Sequence, residues 1–261
     1  MNDNNHSNPL RLLALIWTYA ALNVRAEVQR SYLSYGWLIL EPLLYMVVYF
    51  IVFDKLLQRG GEGFAIFLLT GLVPWMWFAK AVNGSSGSII LNNKLMLQIG
   101  LPPIVYPLVI IMQASLKQFP IFILLLGLMW LNGYSPELNW LALIPVLITQ
   151  AILIIAFSCA IASIIPFVRD LSYLVPTGIT FLMFLSGIFY DYKNIQEPWQ
   201  SIFLMNPIAF LLKCYRDILI DGATPDFNTL AIFAVISLAA CLLLIFIYKR
   251  LRYVYPRIVA E

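Results

Sequence analysis

Ile144 to Phe167 reads IPVLITQAILIIAFSCAIASIIPF, twenty-four residues without a charge. As a helix rising 1.5 Å per residue it would extend about 36 Å, more than the roughly 30 Å hydrocarbon core of a bilayer. A transmembrane strand would instead show about ten residues of alternating polarity. The run therefore predicts a membrane-spanning helix.

The same apolar character extends outward in both directions. Of 261 residues, 62% are hydrophobic, 15% aromatic and 11% charged, whereas soluble domains are about half apolar and a quarter charged. So many aromatics with so few charges exclude a disordered chain, and a soluble enzyme of this size could not bury that much apolar surface. At about 20 residues per span the length allows five to seven helices and no sizeable soluble domain. Breaks in the apolar pattern place six spans: 36–53, 64–82, 104–131, 140–167, 171–190 and 229–248. The expected fold is an all-α polytopic membrane protein with six transmembrane helices in one domain, residues 1–261.

Upstream, Leu10 to Leu22 is too short to cross and is flanked by Arg11, Arg25 and Arg30. With Trp17 and Tyr19 at headgroup depth, it is expected to form an amphipathic helix on the membrane surface. No Ala-x-Ala-like site follows it, so a cleaved signal peptide is not expected. On the six-span scheme one side of the membrane carries Arg11, Arg25, Arg30, Lys80, Lys94, Arg169, Lys249, Arg250, Arg252 and Arg257 against four acids. The other side carries five basic residues against eight acidic ones. The basic excess predicts that both termini are cytoplasmic.

Residues 191–228 are too many for a turn and too apolar for a solvated loop, since Ile202 to Met205 and Ile208 to Leu212 are nearly continuous hydrophobics. Pro198 and Pro207 suit first helical positions, and Asn206 is a good N-cap, so two short helices broken at Asn206-Pro207 are expected. Lys213 and Asp217 fall four apart beside Arg216. A re-entrant segment is tolerated only where protein or water surrounds it. These helices, starting near Trp199, are therefore expected to cap a passage on the outer face, or else to form an amphipathic hairpin on the outer leaflet.

The residues for chemistry are sparse. His6 is the single histidine and lies in the polar N-terminal stretch, which disfavours a His-based metal site or a Ser-His-Asp triad. No catalytic or metal-ligating set is expected, and three cysteines imply no disulfide framework. There is no Gly-x-x-x-x-Gly-Lys-[Ser/Thr] to cradle nucleotide phosphates, so energy for transport must come from elsewhere. Ion-coupled carriers place ionisable residues near the midplane, where only Glu41 and Lys117 qualify, and their depths differ by about 12 Å. With Gln113 and Gln118, Lys117 could line a hydrophilic passage, or it could be satisfied near a kink at Pro120. Glu41 could shape an entrance or pair with an arginine of the surface helix. Phe181, Phe184, Phe189 and Tyr190 could be interfacial anchors, or could offer flat faces to passing sugars.

Several segments in order resemble the permease subunit of type-2 ABC exporters for polysaccharides. They are Arg30-Ser31-Tyr32, Gly36 to Leu43, Gly71-Leu72-Val73-Pro74-Trp75, Asn92-Asn93-Lys94-Leu95 followed by Pro102, Arg169-Asp170-Leu171, Met183 to Tyr190, and Asn206-Pro207. The resemblance spans nearly the whole chain. It implies a homodimer of six-span subunits in the bacterial inner membrane, with two copies of a separate ATPase that binds ATP and Mg, while this chain binds no cofactor itself. It further implies an interface helix over 10–29, a coupling helix over 88–98 and outer gate helices over 198–220. The cargo would be lipid-linked polysaccharide, O-antigen before capsule or teichoic acid. One departure is that Met96 to Gly100 are uncharged and Pro102-Pro103 is doubled. Two alternatives are a drug or small-lipid exporter of the same architecture and an intramembrane glycan-processing enzyme, for which Asp217, Asp221 and Asp226 are the only acidic candidates.

Overall fold

A computed structural model describes residues 9–30, 36–56 and 63–260. Most of the turn expected between the first two spans, and the Ser31 to Tyr35 part of the resemblance, lie outside the described residues. Among them the chain is helical and has no strand. The helices are α1 (Pro9–Arg30), α2 (Gly36–Phe50, continuing as a π-helix over Ile51–Leu56), α3 (Phe64–Ser86), α4 (Ser88–Leu91) and α5 (Asn93–Ile99). After them come α6 (Val105–Leu131), α7 (Leu143–Ile164), α8 (Leu171–Phe184), α9 (Trp199–Leu204), α10 (Pro207–Leu219), α11 (Phe227–Arg250) and α12 (Val254–Ala260).

Among the described residues four segments are long and apolar enough to cross a membrane: α3, α6, α7 with the 3-10 turn before it, and α11. The central one is α3, buried without interruption from Leu68 to Phe78. It packs against α6 and α7, with α2, α8 and α10 also touching it, while α11 lies on the far side of α7. The buried positions of α7 include Leu143, Val146, Gln150 and Leu153, a helical stripe at steps of three and four. The ends of the bundle differ in charge. One, the basic end, carries Lys80, Lys94, Arg169 and Lys249, and the acidic end carries Asp191, Asp217, Asp221 and Asp226.

The helix begun at Leu171 ends at Phe184, six residues short of the expected Tyr190. The cause is local. Gly187 adopts φ +72°, and a Cβ there would stand 2.8 Å from Phe203 Cζ, so the chain turns where only glycine fits. Ser186, Gly187, Ile188 and Phe189 are buried in the turn.

The expected coupling helix over 88–98 is two short helices. The Asn92 side chain donates to the Ser88 carbonyl at 2.8 Å, closing α4, and the Asn93 carboxamide oxygen accepts from the Lys94 N–H at 2.6 Å, opening α5. Gly100, at φ +67°, caps α5. At the other end of the chain α12 packs back on α5, and Arg169 donates to the Ile258 carbonyl at 3.3 Å.

Helix α1 runs alongside the first half of α6 and in the same direction. Ile16 and Ala20 are buried with Val105 and Val109, and further along Glu27 pairs with Lys117. Leu10, Leu13 and Trp17 form a second apolar stripe that is exposed, so α1 is apolar on two sides, as a helix between protein and lipid requires.

Asp226 caps α11: its Oδ1 accepts from the Asn228 and Thr229 N–H groups and its Oδ2 from the Thr229 hydroxyl at 2.6 Å. The Thr229 hydroxyl, then the backbone donors, hold the Asp226 carboxyl below its ordinary value. A carboxyl lowered on folding stabilises above its unfolded pKa, and that contribution is lost as pH falls through the lowered one. In thermal melts between pH 7 and pH 3, Asp226→Asn, which still caps, should flatten the acid-side loss. A slope equal to that of the parent would show that the cap does not titrate in this way.

Candidate functional site

At the acidic end α9 and α10 break at Asn206-Pro207. The Asn206 side chain accepts from the Ile208 N–H at 3.0 Å, as an N-cap does, and Pro207 occupies the first turn, where its missing donor costs nothing. Pro198 stands just outside α9, at its N-cap, rather than at the expected first helical position. The Asn206 carboxamide also donates to the Leu185 carbonyl and the Ser186 hydroxyl, both at 3.3 Å, tying the break to the turn after α8.

Arg216 ties α10 to the same turn and to α3. Its guanidinium donates to the Gly187 carbonyl at 2.7 Å, to the Ile188 carbonyl at 3.0 Å and to the Phe67 carbonyl at 3.4 Å. It also lies 3.6 Å over the Phe67 ring. Carbonyl dipoles and a ring face thus replace the water a buried guanidinium loses. Gly71 makes the approach possible, since a Cβ there would stand 2.6 Å from Arg216 Nη2.

Tyr215, the preceding residue, ties α10 to α7. Its hydroxyl donates to Gln150 Oε1 of α7 at 2.5 Å, and Gln150 donates to the Pro74 carbonyl at 2.8 Å. Gln118 of α6 donates to the Val73 carbonyl at 2.8 Å. Interhelical hydrogen bonds in membranes contribute on average only about 0.6 kcal/mol each. This chain of bonds therefore fixes the register of four helices more than it stabilises them.

Charge is distributed around these anchors. Lys213 pairs with Asp217 at 2.5 Å and Lys193 with Asp221 at 3.4 Å. Asp221, then Asp191, hold the Lys193 ammonium above its ordinary value, but this pair is exposed and contributes little. Lys213, Arg216, Asp217, Tyr190 and Asp191 border a cavity of about 100 Å³. Trp199 is exposed.

The residues expected to line a path fall into two groups. Phe181 and Phe184 are exposed on α8. Phe189 is buried, its ring centroid 4.6 Å from Tyr49 of α2 and 5.4 Å from Phe184, and the Tyr190 hydroxyl donates to the Phe184 carbonyl at 2.9 Å. Gln113 and Lys117 face α1 instead, where Lys117 pairs with Glu27 and not with carbonyls at the Pro120 kink. Glu41 pairs with Lys80 of α3 at 2.5 Å rather than with an arginine of α1.

At the basic end, Asn92 and Asn93 are half-buried, Lys94 is exposed and Leu95 packs on the core. The exposed leucines are Leu91 and Leu97. With Lys94 they are exposed positions on α4 and α5 that sequence reasoning missed. Tyr215, Gln150, Gly71 and Phe67 were also missed; only Gly71 belonged to a recognised segment, and its partner is 145 positions away in the chain.

An all-helical bundle with several helices long and apolar enough to cross a membrane, and the pair α9–α10 bonded into its acidic end, defines a multi-pass membrane protein. The chain belongs to the ABC-2 type transporter family, whose profile matches residues 15–220, and it is a transport subunit rather than an enzyme. It is 27% identical to the O-antigen export system permease protein RfbA of Klebsiella pneumoniae over 237 residues, 90% of this chain and 91% of that one. To the RfbA protein of Myxococcus xanthus it is 28% identical over 241 residues, 87% of this chain and 91% of that one. The Polysialic acid transport protein KpsM of Escherichia coli is 28% identical over 225 residues, 82% of this chain and 86% of that one.

Proposed function

We propose that this chain is the membrane subunit of an ATP-driven exporter that carries lipid-linked polysaccharide, O-antigen first, across a bacterial inner membrane. The observation that carries the reading is the end-to-end similarity to permeases named for O-antigen and polysialic acid. Two subunits would form the passage and two copies of a separate ATPase would drive it, using ATP and Mg. Six spans follow if α2 with its π extension, about 31 Å long, and α8 with the buried turn after it each complete a crossing. The basic end then faces the cytoplasm, with both termini. The exposed Leu91, Lys94 and Leu97 receive the ATPase. The pair α9 and α10 closes the outer mouth, held by Arg216 until the ATPase drives the bundle apart. The exposed rings of Phe181 and Phe184 offer flat apolar faces on which a polymer can slide.

Depleting the protein in its own cell tests the reading. Lipid-linked glycan should collect on the cytoplasmic face while polymer is lost from the surface, and the composition of the stalled material names the cargo. Normal surface glycan would refute polysaccharide export.

A further inference from the structure

At the basic end, a cavity of about 410 Å³ opens between α1, the junction of α4 with α5, and α6. Its polar lining is Tyr19, Asn23, Glu27, Asn92, Tyr106 and Gln113. The Tyr106 ring is 1% exposed, and its buried hydroxyl has no hydrogen-bond partner among the described residues. A buried hydroxyl left unpaired is costly, and in a native protein it calls for an explanation.

The lining chemistry selects the class of occupant. Among the described residues no lysine or arginine borders the space, and the nearby Lys117 is engaged by Glu27, so the described lining offers a phosphate or carboxylate no cation. A cation would meet one carboxylate that is already paired. An acyl chain would leave a tyrosine hydroxyl and three carboxamides facing hydrocarbon. A neutral, hydroxyl-rich ring satisfies all of them. Carboxamides and phenols both donate to and accept from hydroxyls, the half-buried Tyr19 ring offers a flat face, and the volume lies within the roughly 300–1,000 Å³ of small-molecule sites.

The geometry points to a sugar-binding site between α1 and α6, at which the sugar of an inner-leaflet glycolipid contacts the α4–α5 junction through Asn92. Where that glycolipid is the exported cargo, the assignment rests on the exporter reading above; a resident membrane glycolipid would present the same chemistry. An occupant would connect the helix nearest the lipid with the junction that leads to the exposed Leu91, Lys94 and Leu97, so loading would be felt at the ATPase surface.

The test uses the full permease and ATPase complex in cells, with a benzophenone amino acid at Ala26, which lines the cavity, or at Ile110, which lines it from α6, should the first disturb folding. After illumination, adducts are read by mass spectrometry in cells that make the glycan and in cells that cannot. A sugar-bearing adduct only in glycan-producing cells assigns the cargo, and one in both assigns a resident glycolipid. Glycerophospholipid adducts alone, or none, overturn the site. Tyr106→Phe, which removes one oxygen and keeps the ring, should lower the sugar adduct about tenfold, as losing one hydrogen bond does, without lowering the melting temperature. An unchanged adduct, or a loss accompanied by a lower melting temperature, would overturn the role of Tyr106. Surface glycan lost on depletion with no sugar adduct sinks this site alone; a sugar adduct with surface glycan intact on depletion sinks the exporter reading alone.

Discussion

Replacing Gly71 with alanine should expel the Arg216 guanidinium from its site and cost about 3 kcal/mol or more of stability. The added Cβ would lie 2.6 Å from Nη2 and 3.6 Å from the Ile188 Cα. Nη2 is the end of a long side chain, yet it is not free to yield, because it donates to the Ile188 and Phe67 carbonyls while Nη1 donates to Gly187. Moving it leaves the buried Gly187 and Ile188 carbonyls without this donor, at about 1–3 kcal/mol each, while the Phe67 carbonyl keeps the Thr70 hydroxyl. Arg216→Met should cost a similar amount, since methionine ends where Nε stands. The double substitution should then be no worse than Arg216→Met alone, because the clash has lost its partner. Melting temperature in nanodiscs and protease sensitivity of residues 199–219 are the readouts. Additive losses would show that the two residues act independently and that no latch joins α3 to α10.

The second large effect is expected at the opposite end. Leu91→Asp with Leu97→Asp should abolish export while the permease remains folded, because both side chains point outward from α4 and α5. An unpaired carboxylate in a buried interface costs about 2 kcal/mol or more, a roughly thirtyfold weaker association for each substitution. Leu95→Asp provides the contrast. Leu95 packs on the core, so this change should lower the melting temperature and membrane yield instead. Co-purification of the ATPase with the solubilised permease measures the first effect, and surface glycan reports its consequence. Full ATPase recovery with the Leu91 and Leu97 pair changed would remove these residues as the docking surface.

Local features were legible in the sequence. Asn206 before Pro207 is a cap because its side chain reaches an N–H two residues on, and Lys213 meets Asp217 because a helix brings positions four apart together. The long apolar runs 105–131 and 227–250 appear as single helices for the same reason. The end of α8 was less legible: Gly187 marks a possible turn, but an apolar run does not announce that a partner 29 positions on will take its carbonyl. Leu95 and Leu97 are equally apolar as letters, and only the docking of α5 decides which of them is exposed.

Periodicity and composition by themselves determined a helical membrane protein, the positions of its long apolar helices, a helix at its start and a broken helix pair near its end. Each depends on interactions within a few residues, or on the chain's affinity for lipid over water, and those are properties of the letters and their spacing. Only the tertiary structure decided that Arg216 sits in the space left by Gly71, that Gln150 joins Tyr215 to Pro74, and that Gln113 and Lys117 face α1 while the aromatics of α8 stand apart. Those pairings are between residues tens to more than a hundred positions apart, and an arginine buried on carbonyls looks no different in sequence from one exposed to water.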